Sequence, residues 1–207
     1  MSVERVVAYI DGFNFYHGLM EAKLGSSRWL DLRAMCANLL KPHQQLVGVR
    51  YFTTRVRNDP TKQARQGTYI EALQAHGGVD IDFGHFLSKS AQCKQCGYKW
   101  QRNEEKKTDV NIAVRLLDDA YDDLFDVAIV ISGDSDLAPP IESVQRRHPA
   151  KTVVVAFPPK RRSAELRRAA HVAFPIGDGV IRKSRLPDPI FKANGHMLQA
   201  PQGWLPT

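Results

Sequence analysis

The sequence predicts an α/β protein with a central, mostly parallel β-sheet flanked by helices. Short β-branched runs alternate with longer helical patterns, as expected for right-handed βαβ units. Two of the runs, VAIVIS and TVVVAF, are apolar except for Ser132 and Thr152 at their ends, which is typical of strands buried on both faces. With 207 residues, the chain is long enough for one well-packed domain and a tail.

Hydrophobic periodicity defines the individual elements. The predicted strands are RVVAYI (5–10), LVGVRYF (46–52), VDIDFGHF (79–86), VAIVIS (127–132), TVVVAF (152–157) and HVAFPI (171–176). The predicted helices span residues 14–22, 31–40, 61–76, 109–122, 137–147 and 162–170. A polar, cysteine-bearing insertion at 88–107 and a proline-containing segment at 186–207 break this alternation. We therefore predict a single domain over residues 1–185 and an extended C-terminal tail over 186–207.

Composition and charge favour a cytoplasmic protein with a polyanionic partner. Lys and Arg number 29 against 22 Asp and Glu, giving a net charge of +7, which suits nucleic acid. No apolar run approaches the roughly 20 residues of a membrane helix, and the first apolar run is too short for a signal peptide. The 3 cysteines are an odd number that does not suit a secreted disulfide framework.

Acidic residues directly follow two of the apolar strands. Asp11 comes after VVAYI, and Asp134 and Asp136 come after VAIVIS in the segment SGDSD. The motif KKTDV places Asp109 at the start of a predicted helix. Because loops at the carboxyl ends of parallel strands converge at one edge of the sheet, we expect these carboxylates to meet there.

Clustered carboxylates repel one another unless a cation neutralises them. A hard divalent ion such as Mg²⁺ or Mn²⁺ binds through a few carboxylates and keeps water ligands for a substrate phosphate. Such an ion activates water and stabilises a phosphodiester transition state, so the pattern predicts metal-dependent phosphodiester hydrolysis. Each Asp taken singly could instead be a turn former or a helix cap. A solvated helix face is predicted for Asp118, Asp119, Asp122 and Asp123.

Several motifs occur in an order that resembles the NYN family of PIN-like nucleases, in particular the bacterial branch related to LabA and to domain of unknown function 88. They are YIDGFNFYHGL, EKKTDVNIAVRLLDDAY, VAIVISGDSDLAPPI and VVVAFPPKRRSAEL, within residues 5–185. The resemblance implies a PIN-like three-layer fold and an acidic pocket that binds Mg²⁺ or Mn²⁺ to cut RNA. It assigns metal binding and catalysis to Asp11, Asp109, Asp134 and Asp136. It also implies that Asn14 orients a ligand water or a substrate phosphate, and that Ser132 adds a hydroxyl.

Basic residues follow the strand TVVVAF in the segment PPKRRSAELRR. Lys160, Arg161 and Arg162 should emerge at the same edge as the acidic pocket, where they could engage phosphates. Lys107, just before the acidic helix start, is predicted to contact nucleic acid as well. The alternative for the residues of PPKRRSAELRR is a solvated basic helix face.

The insertion carries the pattern C-K-Q-C-G-Y, which resembles one knuckle of a zinc ribbon. A full zinc site needs four ligands, so Cys93 and Cys96 would need His85, His76 or a second copy of the chain in a homodimer. Without such partners the pair is an oxidisable dithiol or part of a hairpin.

Three functions remain open. The first is a metal-dependent ribonuclease acting on single-stranded RNA, and the second is a nucleic-acid-binding or regulatory module without turnover. Small bacterial chains similar to this one are also associated with NADH-dependent hydroxylation of substituted pyridines, of the 6-hydroxy-3-succinoylpyridine type, in nicotine catabolism. The residues support this monooxygenase alternative least, because no G-x-G-x-x-G follows the first strand and no flavin motif is visible.

Overall fold

The computed structural model describes residues 3–57, 59–92, 95–106 and 108–206, and over 85–92 and 99–106 it describes the backbone alone. The strands are β1 (Glu4–Asp11), β2 (Gln44–Thr53), β3 (Asp80–Phe83), β4 (His85–Gln92), β5 (Lys99–Lys106), β6 (Val127–Ile131), β7 (Thr152–Phe157), β8 (Val172–Pro175), β9 (Ile190–Phe191) and β10 (Met197–Leu198). The α-helices are α1 (Gly12–Glu21), α2 (Leu32–Ala37), α3 (Pro60–His76), α4 (Thr108–Tyr121), α5 (Ala138–Arg147), α6 (Ala164–Ala169) and α7 (Asp178–Lys183).

Six of the strands form a central sheet in the order β3-β2-β1-β6-β7-β8. Every neighbouring pair in this sheet is parallel. The predicted α/β class with a mostly parallel central sheet is therefore confirmed. Among the described residues, no helix is both long and apolar enough to span a bilayer.

Helices cover both faces of the sheet and give the molecule three layers. Val6, Ala8 and Ile10 of β1 point into a core shared with α1, α2, α3 and α7. Val7 and Tyr9 point the other way, into a core shared with α4, α5 and α6. Because both faces are covered, the central strands are apolar on both sides.

The topology places a crevice between β1 and β6. The chain adds β2 and β3 on one side of β1 and then crosses to build β6, β7 and β8 on the other side. The strand order therefore reverses between β1 and β6, the position at which open parallel sheets bind ligands beyond their carboxyl ends. Ile10 pairs with Ile131, so Asp11 and Ser132, the next residues of the two segments, lie side by side.

Two segments differ from their predicted conformation. The strand predicted over 79–86 is divided at Gly84 between β3 of the sheet and β4, which forms an antiparallel hairpin with β5. The insertion therefore begins at residue 85. The C-terminal segment, predicted as an extended tail, folds back onto the domain. It buries Ile190, Leu198 and Trp204 in the core shared with α1, α2, α3 and α7. These apolar side chains leave solvent by packing there.

Candidate acidic site

A cavity of about 240 Å³ lies at the carboxyl edge of the sheet, next to the crevice between β1 and β6. Three widely separated motifs each supply one carboxylate to it. The lining residues are Asp11, Asp109 and Asp134, together with Phe13, Asn14, His17, Thr108 and Arg161. The structure thus brings together three of the four carboxylates that the sequence singled out.

Hydrogen bonds fasten the end of β1 to the loop after β6. The buried Asp11 carboxylate accepts from the backbone N–H of Asn14 at 3.0 Å and from Ser132 Oγ at 2.9 Å. Ser132 Oγ accepts from the backbone N–H of Asp134 at 3.1 Å, and Asn14 Oδ1 accepts from that of Gly133 at 2.9 Å. Asp11 is therefore the N-cap of α1 as well as a wall of the cavity, and the two segments form one unit.

The two aspartates of SGDSD face different surroundings. Asp134 lines the cavity and caps the short 3₁₀ turn Ser135–Leu137, where its Oδ1 accepts from the backbone N–H of Asp136 at 3.0 Å. Asp136 is exposed and is not among the described residues that line the cavity. Asp134 is the N-cap of this turn and Asp136 lies within it, so the two acids occupy different positions of the turn and have different surroundings.

The start of α4 forms another wall. Thr108 is buried and lines the cavity, with its Oγ1 3.4 Å from Thr54 Oγ1. Asp109 follows in the first helical turn and is half-buried. The N-terminal end of a helix carries partial positive charge, which favours an anionic side chain or ligand at this position.

Arg161 is the basic residue of the PPKRR segment that lines the cavity. Its guanidinium forms an ion pair with Glu21 of α1. Lys160 and Arg162 are exposed beside it and are not among the described lining residues. Arg161 therefore lies at the acidic cavity, and contacts of Lys160 and Arg162 with nucleic acid stay predictions.

Two motif glycines are required by close packing. A Cβ at Gly12 would lie 2.7 Å from the carbonyl oxygen of Phe52. A Cβ at Gly133 would lie 2.8 Å from the Cβ of Arg161. Both separations are shorter than real carbon contacts allow, so glycine lets β2 approach α1 and lets the loop after β7 pack on the loop after β6.

The three carboxylates of the cavity offer hard oxygen atoms, which suit Mg²⁺ or Mn²⁺, and His17 adds an imidazole to the lining. Within the described residues, no three His, Cys, Asp or Glu side chains form a group that could hold a metal ion. An ion here would accordingly rest on fewer protein ligands and on water, as Mg²⁺ commonly does.

The zinc hypothesis is untested by the structure. Cys93 and Lys107, proposed as a zinc ligand and as a nucleic-acid contact, lie outside the described residues. Cys96 is exposed and free. His76, one of the proposed additional ligands, is already paired with Asp31 at 3.0 Å. Zinc at Cys93 and Cys96 stays a prediction.

Sequence reasoning missed Phe13 and His17 as parts of the site. Both line the acidic cavity. Helical spacing could have indicated this, because Phe13 and His17 are four residues apart in α1 and therefore lie on the same face of that helix.

The prediction that Asp119 lies on a solvated helix face is wrong. Asp119 is 2 % exposed and accepts from Tyr9 Oη at 2.8 Å. Arg50 Nε and Arg115 Nε approach its carboxylate to 3.3 Å and 3.1 Å. Burial, followed by the charge of Asp119, raises the pKa of Tyr9. Partners from two distant strands make the buried charge tolerable.

The fold and this cavity define an α/β protein with an acidic crevice at the switch point of a parallel sheet. The chain belongs to the NYN domain family, whose model matches residues 5–177. The matched range includes Asp11, Asp109 and Asp134, which line the cavity. NYN domains are PIN-like and are in general nucleases, so the family-level expectation from the motifs is confirmed.

Two individual proteins are similar to this chain. A curated relative from Pseudomonas putida, the 6-hydroxy-3-succinoylpyridine 3-monooxygenase HspA, is 25% identical over 81% of this chain and 65% of its own length. The chain thus spans slightly less than two thirds of that relative. A solved structure from Vibrio parahaemolyticus, described as the protein of unknown function VPA0982, has a TM-score of 0.57 at 22% identity, over 84% of this chain and 94% of that one. That likeness shows a shared fold.

Proposed function

We propose that this protein is a metal-dependent ribonuclease that hydrolyses RNA phosphodiester bonds at the acidic cavity. The observation that carries the proposal is the convergence of Asp11, Asp109 and Asp134 from three separate motifs on one cavity at the switch point of the sheet. A structural cap or turn needs a single acid, whereas a phosphate-hydrolysing centre needs several acids around one space.

The residues of the acidic cavity have separate roles in binding the ion and in orienting the substrate. Asp109 and Asp134 would hold the ion together with water, and Asp11 is kept in place by Ser132 and Asn14. Mg²⁺ or Mn²⁺ bound there would supply an activated water and neutralise charge on the phosphate. The side-chain NH₂ of Asn14 can donate to a phosphate oxygen, since Oδ1 accepts from Gly133. Asp136 is not among the described residues that line the cavity, and its backbone N–H donates to the Asp134 carboxylate that caps the turn.

Positive charge around the cavity would attract the RNA backbone. Arg161 at the wall and Lys160 and Arg162 beside it offer donors to phosphates, and Lys107 remains a proposed contact. The net charge of +7 favours association with a polyanion. RNA as substrate is also consistent with the predicted cytoplasmic location.

Cleavage of end-labelled single-stranded RNA in Mn²⁺ tests the proposal. Asp109→Asn and Asp134→Asn keep size and hydrogen-bonding capacity but remove charge from the cavity. We expect each to lower the cleavage rate by about a hundredfold or more, since even residues that only support metal ligands cost roughly 10- to 100-fold. EDTA should abolish cleavage in the unmodified protein.

Asp122→Asn is the matched control, because Asp122 is an exposed acid in the turn that directly follows α4. It should cleave at the unmodified rate. Equal RNA decay with all four proteins would contradict the enzymatic proposal. RNA binding without any cleavage would instead favour a nucleic-acid-binding or regulatory module.

A second candidate is a monooxygenase acting on a substituted pyridine. It is favoured by the similarity to the Pseudomonas putida relative and by an apolar cavity of about 660 Å³ beside the acidic one, large enough for a small aromatic ring. Such a reaction needs O₂ and a reductant such as NADH. A visible absorption band in the purified protein, or NADH oxidation on addition of 6-hydroxy-3-succinoylpyridine, would support it. A colourless protein without NADH oxidation would remove it.

A further inference from the structure

A second cavity, of about 660 Å³, opens between α1 and α3 next to the acidic one. Tyr51 and Thr53 of β2 form its base, and Trp204 of the C-terminal segment closes one side. Its volume is typical of sites that bind small molecules or single nucleotides. The aromatic residues in its walls are Phe13, Phe15, Tyr16, His17, Tyr69 and Trp204.

The inner wall of this cavity is held in place by contacts within the protein. Tyr69 Oη donates to the carbonyl of Leu30 at 2.8 Å, and the Tyr69 and Trp204 rings meet edge to face at 5.8 Å. The Arg28 guanidinium lies 4.8 Å from the centre of the Trp204 ring. Tyr16, by contrast, is 37% exposed and contacts the His17 ring at 5.4 Å. Tyr16 is therefore an accessible aromatic surface on which a flat ligand could stack.

The two cavities share a wall. Phe13 and His17 of α1 line both of them. The neighbouring residues Asp11 and Gly12 line the acidic and the aromatic cavity respectively. A ligand with an anionic group in the first cavity could thus place an attached ring in the second.

Cations complement the aromatic walls. Arg28, Arg57, Lys62 and Arg65 line the cavity, and none of its described lining residues is acidic. Lys62 is paired with Asp59 at 3.1 Å, outside the cavity. Aromatic faces combined with several cations are the features by which proteins bind the bases and phosphates of single strands.

We propose that the 660 Å³ cavity is a base-binding subsite that takes one unstacked base of a single-stranded RNA. The base belongs to a nucleotide adjoining the phosphate in the acidic cavity, and Arg57, Lys62 and Arg65 contact the following phosphates. The position of the scissile phosphate rests on the proposed ribonuclease function. A paired base is stacked within its duplex and cannot enter such a cavity, so the subsite selects single strands.

Fluorescence anisotropy with a fluorescein-labelled single-stranded RNA tests the subsite. The protein carries Asp134→Asn and the buffer contains EDTA, so that binding is measured without cleavage. Adding Tyr16→Ala should weaken binding about tenfold, the lower part of the range for loss of one stacked base. Tyr16→Phe keeps the ring and should bind normally. Tyr121→Ala removes a tyrosine that is 81% exposed on α4 and should also bind normally.

The substrate can be varied in the same assay. RNA with abasic positions should bind more weakly and lose its sensitivity to Tyr16→Ala, and the RNA annealed to its complement should bind more weakly as well. Equal binding by all variants, tight binding of abasic RNA, or no RNA binding at all would overturn the subsite. So would binding of pyridine-3-carboxylate that is lost in Tyr16→Ala and unaffected by excess RNA.

Failure of the subsite and failure of the ribonuclease function give different results. Binding that depends on Tyr16, without cleavage by the unmodified protein in Mn²⁺, leaves the subsite and removes the nuclease. Cleavage that proceeds at the same rate and affinity in Tyr16→Ala leaves the nuclease and removes the subsite.

Discussion

The charged side chains are arranged differently at the two ends of the parallel sheet. At the amino end, Arg5 pairs with Asp126 at 2.8 Å and with Asp123 at 3.1 Å. Lys151 pairs with Asp123 at 2.5 Å and donates to the carbonyl of Phe125 at 2.8 Å. Hydrogen bonds from Arg5 lower the pKa of Asp126 to about 2. These four side chains are therefore paired with one another within the protein.

At the carboxyl end, acids gather around an open space. Asp11, Asp109 and Asp134 line one cavity, and Arg161 beside them is already paired with Glu21. Acids that are paired with basic side chains at the amino end support the fold, whereas acids grouped around a cavity at the carboxyl end are suited to binding a ligand. Removing an acid should therefore have opposite consequences at the two ends.

The largest effect on stability is expected from Asp119, whose buried carboxylate is paired with Arg50 and Arg115. Asp119→Ala should lower the free energy of unfolding by about 3–5 kcal/mol, because Arg50 loses a partner in a buried setting. Tyr9 Oη loses its acceptor as well. Urea denaturation measures this change. Asp118→Ala, at the exposed neighbouring position, is the control, and a similarly small loss for both variants would contradict the interpretation.

A smaller loss is expected at the carboxyl end, where hydrogen bonds replace ion pairs. Ser132→Ala removes the bridge between Asp11 and the Asp134 backbone and should cost about 1–3 kcal/mol of unfolding free energy. RNA cleavage should fall with it, since Asp11 and Asp134 lose their common anchor. Ser27→Ala is a matched control: Ser27 is 2 % exposed, and its Oγ has no hydrogen-bond partner among the described residues. Equal losses would contradict the bridge.

Asp134→Asn should leave stability unchanged or raise it by up to about 1 kcal/mol in EDTA, because it relieves repulsion between carboxylates. The amide oxygen can still accept from the Asp136 backbone. Asp126→Asn should instead lower stability, since it removes the Arg5 pair. Parallel urea titrations give the sign of each change. A destabilising Asp134→Asn as large as Asp126→Asn would remove the distinction between the two ends.

The smallest expected effect is the pH dependence from Asp126. Its pKa is lowered from 3.8 to about 2 on folding, so its contribution is complete above the unfolded value and is lost as pH falls from about 4 to about 2. Its side chain is 40% exposed, so solvent screening keeps this contribution below about 1 kcal/mol. The difference in unfolding free energy between the unmodified protein and Asp126→Asn should shrink over that pH range. A difference that stays constant from pH 5 to about 2 would contradict the assignment.

The sequence predicted the sheet well because its central strands are buried on both faces. The apolar run over 152–157 coincides with β7, and the run over 127–132 differs from β6 by one residue. The run over 79–86 was misassigned because β3 and β4 are nearly continuous in sequence while they pair with different partners. Periodicity indicates that a strand forms and leaves its partner open.

The candidate site was predictable to the extent that topology fixes it. The placement of Asp11 and Asp134 follows from strand ends that meet at one edge. Asp136 departs from the expectation because the side-chain directions of a 3₁₀ turn are not visible in sequence. Asp119 was misjudged because Tyr9 and Arg50, which neutralise its burial, come from strands far away in the chain. The aromatic cavity depends on Trp204, and no local pattern shows that this residue folds back.

Trp204 lies outside the part of the chain that the family model matches. The family match ends at residue 177, so it contains the three carboxylates of the acidic cavity but not the tryptophan that closes its aromatic neighbour. Changes after residue 177 can reshape what enters the aromatic cavity without disturbing the acids.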